Sequence, residues 1–215
     1  MNKTLWLPAM ALAAGIGPAL SGAQTPHTLA GLTAAQTRAL QKGRIVHRIA
    51  RGPGRGWTME ALVYVPAPVQ QCVQLLLDFQ HYRRFVPNLI AVEVLADQAD
   101  LAIVNHEMKL PLGVRKRYRS AVTHFTAAQW AVVAWRKLEW AGLIPEQRLA
   151  QTLGYWFFVY EPDAQRTLVL YRAYTDPGLL PTGLGWIIDR LARQSVVKMI
   201  KAVRELLSSP LSPDD

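Results

Sequence analysis

Few residues in this chain have the types and spacing that covalent chemistry needs. The five histidines, His27, His47, His81, His106 and His124, are scattered so that no two share a helical face. A metal site built from them would require unrelated strands to converge. The sequence holds no GxSxG, HExxH, CxxC, GxGxxG or phosphate-cradling glycine loop, and its carboxylates do not pair into a divided acid and base. Proton transfer would fall to His106, His124 or Tyr118. The reading is therefore no catalytic residue carried by a motif, no metal and no cofactor. Cys72, the single cysteine, cannot close an intramolecular disulfide, and its place on an apolar stripe marks it as core filler.

Binding chemistry is better represented. In Leu101–Leu110 the alternate residues Ala102, Val104, His106, Met108 and Leu110 form an apolar set, with Asn105, Glu107 and Lys109 pointing the other way. In Trp130–Trp140 the set Trp130, Val132, Ala134, Arg136, Leu138 and Trp140 is more apolar than the one holding Lys137 and Glu139. His106 and Arg136 are thus polar residues on apolar faces. A histidine there is either a satisfied core residue or a ligand contact. A guanidinium is costly to bury, so Arg136 calls for an internal carboxylate or a polar ligand head group. Arg172, with Tyr174 on the same parity, poses the same question. In Arg115–Phe125 the parity is mixed, Tyr118, Ser120 and Val122 against Arg117, Arg119 and Ala121, and Thr152–Tyr160 is equally open. Trp130, Trp135, Trp140, Trp156, Phe157, Phe158, Tyr171 and Tyr174 all fall in this half of the chain. Most must be core, yet a cavity lined by such faces suits a prenyl, acyl, polycyclic or sterol-like ligand.

These residues need elements to position them. Thr33-Ala-Ala-Gln36 is a capping-box pattern and Gly43 a stop signal, which predicts a short helix over Ala34–Lys42. Arg44–Ala50 reads as a strand, and a turn at Gly52–Gly56 returns the chain into a second one ending at Val65. Pro66 stops that strand because it has no N–H for the ladder, while Pro68 suits the first turn of a helix. Val69, Cys72, Val73, Leu76 and Leu77 then make one apolar helical stripe. A second short helix over Gln80–Val86 closes at Pro87. Three hairpins follow: Leu89–Leu95 with Leu101–Leu110, Arg115–Phe125 with Trp130–Trp140, and Thr152–Tyr160 with Arg166–Thr175. The basic run Val114–Arg119, charged on both faces, reads as an exposed or edge strand. Last comes an amphipathic helix over Thr182–Leu207. Its apolar side carries Leu184, Ile188, Leu191, Met199, Val203 and Leu206, and its other side Arg190, Arg193, Lys198, Lys201 and Arg204.

The run Pro66-Ala-Pro68, the Val69–Leu77 stripe, Asp78, Tyr82, Phe85 and Pro87 resemble the opening of START-like (SRPBCC) proteins. The similarity is greatest to the branch containing polyketide cyclases and the coenzyme Q-binding Coq10 type. Gly154-Tyr-Trp156, Thr167–Arg172, Asp176-Pro-Gly178 and Pro181 extend the resemblance through residues 44–207. It implies an α+β helix-grip fold: a curved antiparallel sheet wrapped around a long C-terminal helix, enclosing an apolar cavity. Cavity residues expected on this plan are Tyr82, Phe85, Val104, His106, Met108, Tyr118, Arg136, Trp156, Arg172, Tyr174, Leu191 and Met199. Leu179 and Leu180, in a Gly- and Pro-punctuated loop, are expected to gate the cavity or touch membrane. The implied partner is a hydrophobic small molecule or lipid, bound and carried, with a cyclase or dehydratase acting in the same cavity as the alternative.

Composition bounds this reading. At 215 residues, 51% hydrophobic and 18% charged, the chain buries one substantial core. The formal charge of +9 admits nucleic acid, an anionic membrane surface or an acidic ligand as partner. Residues 1–23 pair a basic start at Lys3 with an apolar run from Leu5 to Leu20, then small residues at Ser21 and Ala23, which predicts a signal peptide cleaved after Ala23. Its removal takes Lys3 and leaves +8. Export to the periplasm or beyond argues against nucleic acid and leaves transient contact with an anionic membrane. Residues 24–43 are read as leader and short helix, and residues 208–215 as a disordered tail.

Overall fold

The computed structural model describes residues 32–183 and 185–208. The signal-peptide reading, the leader before residue 32, Leu184, the side chains of Ile188 and Arg193 and nearly all of the tail lie outside what is described. The chain divides into two compact units, residues 1–38 and 39–215. In the first, Thr33 and Gln36 form a reciprocal capping box: Gln36 N–H donates to Thr33 Oγ1 at 3.2 Å, and Thr33 N–H donates to Gln36 Oε1 at 2.9 Å. This satisfies two N–H groups that would otherwise have no partner. The helix it caps, α1, spans Ala34–Gln41 and stops before Gly43, whose φ of +71° suits glycine.

The second unit is built on one eight-stranded antiparallel sheet. Its strands are β1 (Val46–Arg51), β2 (Trp57–Val65), β3 (Leu89–Gln98), β4 (Leu101–Lys109), β5 (Arg115–Thr126), β6 (Trp130–Leu138), β7 (Gln151–Glu161) and β8 (Arg166–Asp176). The spatial order is β1-β2-β8-β7-β6-β5-β4-β3, and β1 and β3 remain unpaired edges, so the curved sheet does not close. Consecutive strands pair as hairpins except across the step from β2 to β3. That step carries the chain from one side of the sheet to the other through helix α2 (Val69–Leu77) and a 3-10 segment at Phe79–Arg84. Pro66 ends β2 as expected, and the Thr167 hydroxyl on β8 donates to the carbonyl of Ala67 at 2.5 Å, fixing the strand-to-helix corner. Helix α3 spans Gly185–Ser208.

The core lies between the concave face of the sheet and the two helices. It gathers Met59, Ala61, Val63 and Val65 from β2 with Val69, Cys72, Val73 and Leu76 from α2. Trp156, Phe158, Val169 and Tyr171 join from β7 and β8, and Val196, Met199, Ile200 and Val203 from α3. Charges on the described part of α3 stay outside: Arg190, Lys198 and Lys201 are exposed, and Arg204 donates to the carbonyl of Gly43 at 2.7 Å.

Two strand readings need correcting. β5 is not an edge, since it pairs with β4 on one side and β6 on the other. The charges of Val114–Arg119 are accommodated by partners instead. On the convex face Arg115 and Arg117 pair with Glu107 at 2.7 and 3.2 Å, while Arg119 donates to Asn105, which donates to Glu93. Asn105 is buried within that chain of hydrogen bonds although it faces away from the core. The parity of β6 is also the reverse of the expectation: Ala131, Val133 and Trp135 face the concave side. Both of its faces are apolar, so alternation alone could not choose between them. The choice is made across the ladder, where Trp135 lies opposite Gly154 on β7. A Cβ at Gly154 would stand 2.6 Å from the Trp135 ring.

Candidate functional site

The concave face, α2, the 3-10 segment and α3 line a partly open cavity of about 230 Å³. Each strand gives it one parity. β4 contributes His106 and Met108, β5 Lys116, Tyr118, Ser120 and Val122, β6 Val133 and Trp135, and β7 Thr152 and Trp156. β2 adds Trp57 and Met59, and β8 adds Tyr171 and Thr175. Tyr82, Phe85 and Val86 close one side, and Leu191, Ser195, Val196 and Met199 of α3 close the other. The wall is predominantly apolar, as a site for an apolar ligand requires.

A polar cluster is set into that wall. His106 and Tyr118 are direct cross-strand partners, and their rings stack with centroids 4.5 Å apart. His106 Nε2 lies 2.9 Å from Ser120 Oγ, the next inward residue of β5. Tyr82 approaches from the 3-10 segment with its ring 6.2 Å from His106, and its hydroxyl donates to the carbonyl of Leu76. His106 is buried and its Nδ1 has no hydrogen-bond partner. Burial disfavours the imidazolium and pulls the His106 pKa down to about 4, so the ring is neutral near pH 7. Burial likewise raises the phenol pKa values of Tyr82, Tyr118 and Tyr171 well above the usual range, so all three keep their protons. A second, smaller chain of polar contacts runs from Trp135 Nε1, which donates to Thr152 Oγ1 at 3.1 Å, to Thr175 Oγ1 at 3.4 Å.

Lys116 is the one charged side chain among the described residues that line the cavity. It is fully buried, and its ammonium donates to three backbone carbonyls: Glu146 at 2.8 Å, Arg148 at 3.3 Å and Leu179 at 2.6 Å. Those carbonyls use all three of its N–H groups. Burial lowers its pKa, opposed by the fields of Glu146 and Asp176. Lys116 thereby ties the β6–β7 loop and the β8–α3 loop to β5 at one end of the cavity.

Of the residues expected at the site, Tyr82, Phe85, His106, Met108, Tyr118, Trp156, Leu191 and Met199 do line the cavity. Val104 shares their face but is core, with no exposed surface. Arg136, Arg172 and Tyr174 are on the opposite face of the sheet. Arg136 is exposed and pairs across the ladder with Ala121 and Leu153, so it needs no buried counter-charge. Arg172 meets Glu60 at 3.3 Å, and the ring of Tyr174 covers Gly52 and Gly56 while its hydroxyl donates to the carbonyl of Pro53. His124 is not part of the wall. Leu179 and Leu180 are not either; Leu179 is half exposed at a loop tip.

Sequence reasoning missed Lys116, Ser120, Trp135 and Tyr171 as wall residues. Lys116 was hidden in a basic run, although Tyr118, Ser120 and Val122 at the same parity mark its side. For Trp135 the signal was Gly154, because a glycine inside a strand often marks where a bulky neighbour comes close.

Neither a family model nor a curated protein sequence matches the chain. Solved structures do. A STAR-related lipid transfer protein fragment from Xanthomonas axonopodis superposes with a TM-score of 0.65 at 19% identity, covering 76% of this chain and 93% of that one. Human StAR-related lipid transfer protein 5 gives a TM-score of 0.56 at 12% identity, covering 80% and 90%. The Zhui aromatase/cyclase from Streptomyces sp. R1128 gives 0.54 at 19% identity, covering 76% and 94%. An open antiparallel sheet gripping a long C-terminal helix, shared at this level with lipid-transfer and aromatase/cyclase structures, is the START-like helix-grip fold, and this chain has it.

Proposed function

We propose that this chain is an exported START-like domain that binds and carries a hydrophobic small molecule or lipid in its internal cavity, in the periplasm or outside the cell. The observation that supports this best is the partly open, mostly apolar cavity with its neutral polar cluster. Its volume of about 230 Å³ lies below the ~300–1,000 Å³ usual for drug-sized ligands. A single chain or a compact ring system suits that space better than a whole two-tailed lipid. The names of the matching structures, lipid transfer proteins among them, agree with a ligand of this class.

A cyclase- or dehydratase-type activity is the second reading, favoured by the convergence of His106 with Tyr118 and by the likeness to an aromatase/cyclase. The protonation states favour binding. General acids and bases work best with pKa values near the working pH. His106 titrates far below it and Tyr118 far above, so the pair is better suited to hydrogen bonding than to proton transfer.

Membrane contact fits the same reading. The β4–β5, β6–β7 and β8–α3 connections all leave one end of the antiparallel sheet, and each carries an exposed apolar residue: Leu112, Ile144 and Leu179. Trp186, in the first turn of α3, is also exposed. Apolar tips on a chain of net positive charge suit an anionic lipid surface, near the loops that Lys116 ties together. The decisive experiment is native mass spectrometry of protein secreted into and purified from the periplasm. A co-purifying apolar molecule released by denaturation is expected. Protein that arrives empty and binds nothing in a lipid panel would overturn the carrier reading.

A further inference from the structure

The polar cluster is a hydrogen-bonding site with one position unfilled. Buried polar atoms in folded proteins are almost always paired, so a buried ring nitrogen without a partner needs a reason. His106 Nδ1 has none among the described residues, while Nε2 is taken by Ser120. The hydroxyls around it are not all spoken for. Tyr82 spends its proton on the carbonyl of Leu76, but the Tyr118 hydroxyl makes no hydrogen bond among the described residues. We infer that the cavity selects ligands carrying an uncharged hydroxyl, and that His106, oriented by Ser120 and flanked by Tyr118, is the group that binds it. This deepens the proposed function and rests on it.

The chemistry of the cluster determines the ligand class. A neutral imidazole offers one N–H and one lone pair, and a serine hydroxyl opposite Nε2 serves as donor or acceptor. The His106–Ser120 pair can therefore present Nδ1 in either role. A hydroxyl is the ligand group that matches both. A carboxylate fares worse. It would need His106 protonated, which burial opposes, and the Lys116 ammonium already has its donors on three carbonyls. The other polar residues lining the cavity are uncharged, three phenols with Asn88, serines and threonines, so an anion would be desolvated with no free cation among the described wall residues. A purely apolar ligand would leave Nδ1 as it is now, without a partner.

The test uses the full chain and the fluorescent apolar probe 1-N-phenylnaphthylamine, displaced at neutral pH by three ligands of matched length: 1-decanol, 1-chlorodecane and decanoate. Decanol is expected to displace the probe about tenfold better than either of the others, the discrimination one good hydrogen bond provides. In His106→Leu combined with Ser120→Ala, decanol should lose its advantage over chlorodecane, with circular dichroism as the check on folding. Equal displacement by all three on the wild-type chain would overturn the inference, as would an advantage that survives in the variant. The wild-type comparison decides the matter alone should the variant fail to fold. Failure of the probe itself to bind is a different result, and would overturn the hydrophobic-ligand reading beneath this one.

Discussion

Protonating His106 should destabilise the fold in a pH window set by that residue. An imidazole that titrates near 6.5 when unfolded and about 4 here binds its proton more readily in the unfolded chain. The unfolded state therefore carries more bound protons throughout the interval, and stability rises with pH across it. At 1.36 kcal/mol per tenfold difference, the full penalty below about pH 4 comes to roughly 3 kcal/mol. Acidifying from about pH 7.5 should cost about 1.4 kcal/mol by pH 5.5 and about 2.5 kcal/mol by pH 4.5. The groups facing the ring do not blur this window. Tyr82 and Tyr118 stay neutral through it, and among the described residues no carboxylate lines the cavity. The assay is urea unfolding across the series for the wild-type chain and for His106→Leu with Ser120→Ala, which removes the titrating group without stranding a hydroxyl. Other groups titrate in both proteins, so the quantity to follow is the difference between the two. That difference should fall with decreasing pH by about the amounts given. Parallel curves would refute the argument that His106 is held neutral by burial.

Three further outcomes follow from the geometry. Gly154→Ala should destabilise by about 1–3 kcal/mol in thermal or urea unfolding, because a Cβ there runs into the Arg172 carbonyl and stands 2.6 Å from the Trp135 ring. Arg136→Ala should change stability by no more than about 0.5 kcal/mol and leave probe binding intact, since the side chain is exposed on the convex face; a large loss of binding would restore it to the site. Ile144→Ser with Leu179→Ser should slow exchange of a fluorescent fatty alcohol with anionic vesicles while leaving unfolding unchanged, both side chains being about half exposed. Unaltered exchange would remove these tips from any membrane contact.

The elements were legible where a local rule had no competitor. Pro66 and Pro68 fixed the end of β2 and the start of α2, and the five-residue stripe placed α2 at Val69–Leu77 without error. Thr33 and Gln36 form the predicted capping box. The hairpins from β3 to β8 fell within a few residues of expectation because their turns are marked by polar and glycine-proline signals. Sidedness was harder. In β4 the contrast between Met108 and Lys109 revealed the inner face, whereas in β6 Val132 and Val133, or Trp130 and Trp135, balance each other. There the face is set by a residue on another strand, Gly154, and reading the strand alone put Arg136 in the cavity. Lys116 was missed for a related reason. A buried ammonium is tolerable only where backbone carbonyls converge on it, and the three that do come from residues 30, 32 and 63 positions further along the chain. No local pattern encodes such a cradle.

The unpaired edges of the sheet bear on how widely the cavity can vary in size. In a closed barrel, strand number and stagger fix the diameter, and widening it means breaking ladder hydrogen bonds. Here β1 and β3 never meet, and the space between sheet and α3 is bounded on one side by side-chain contacts alone. Displacing α3 outward by a fraction of a side chain costs dispersion contacts and apolar burial, each small and graded, while every strand-to-strand bond survives. The container therefore has a compliant wall facing a rigid one. His106, Ser120 and Tyr118 all belong to the rigid wall, so the position of the bound hydroxyl stays constant while the apolar remainder of the ligand sets how far the helix stands off.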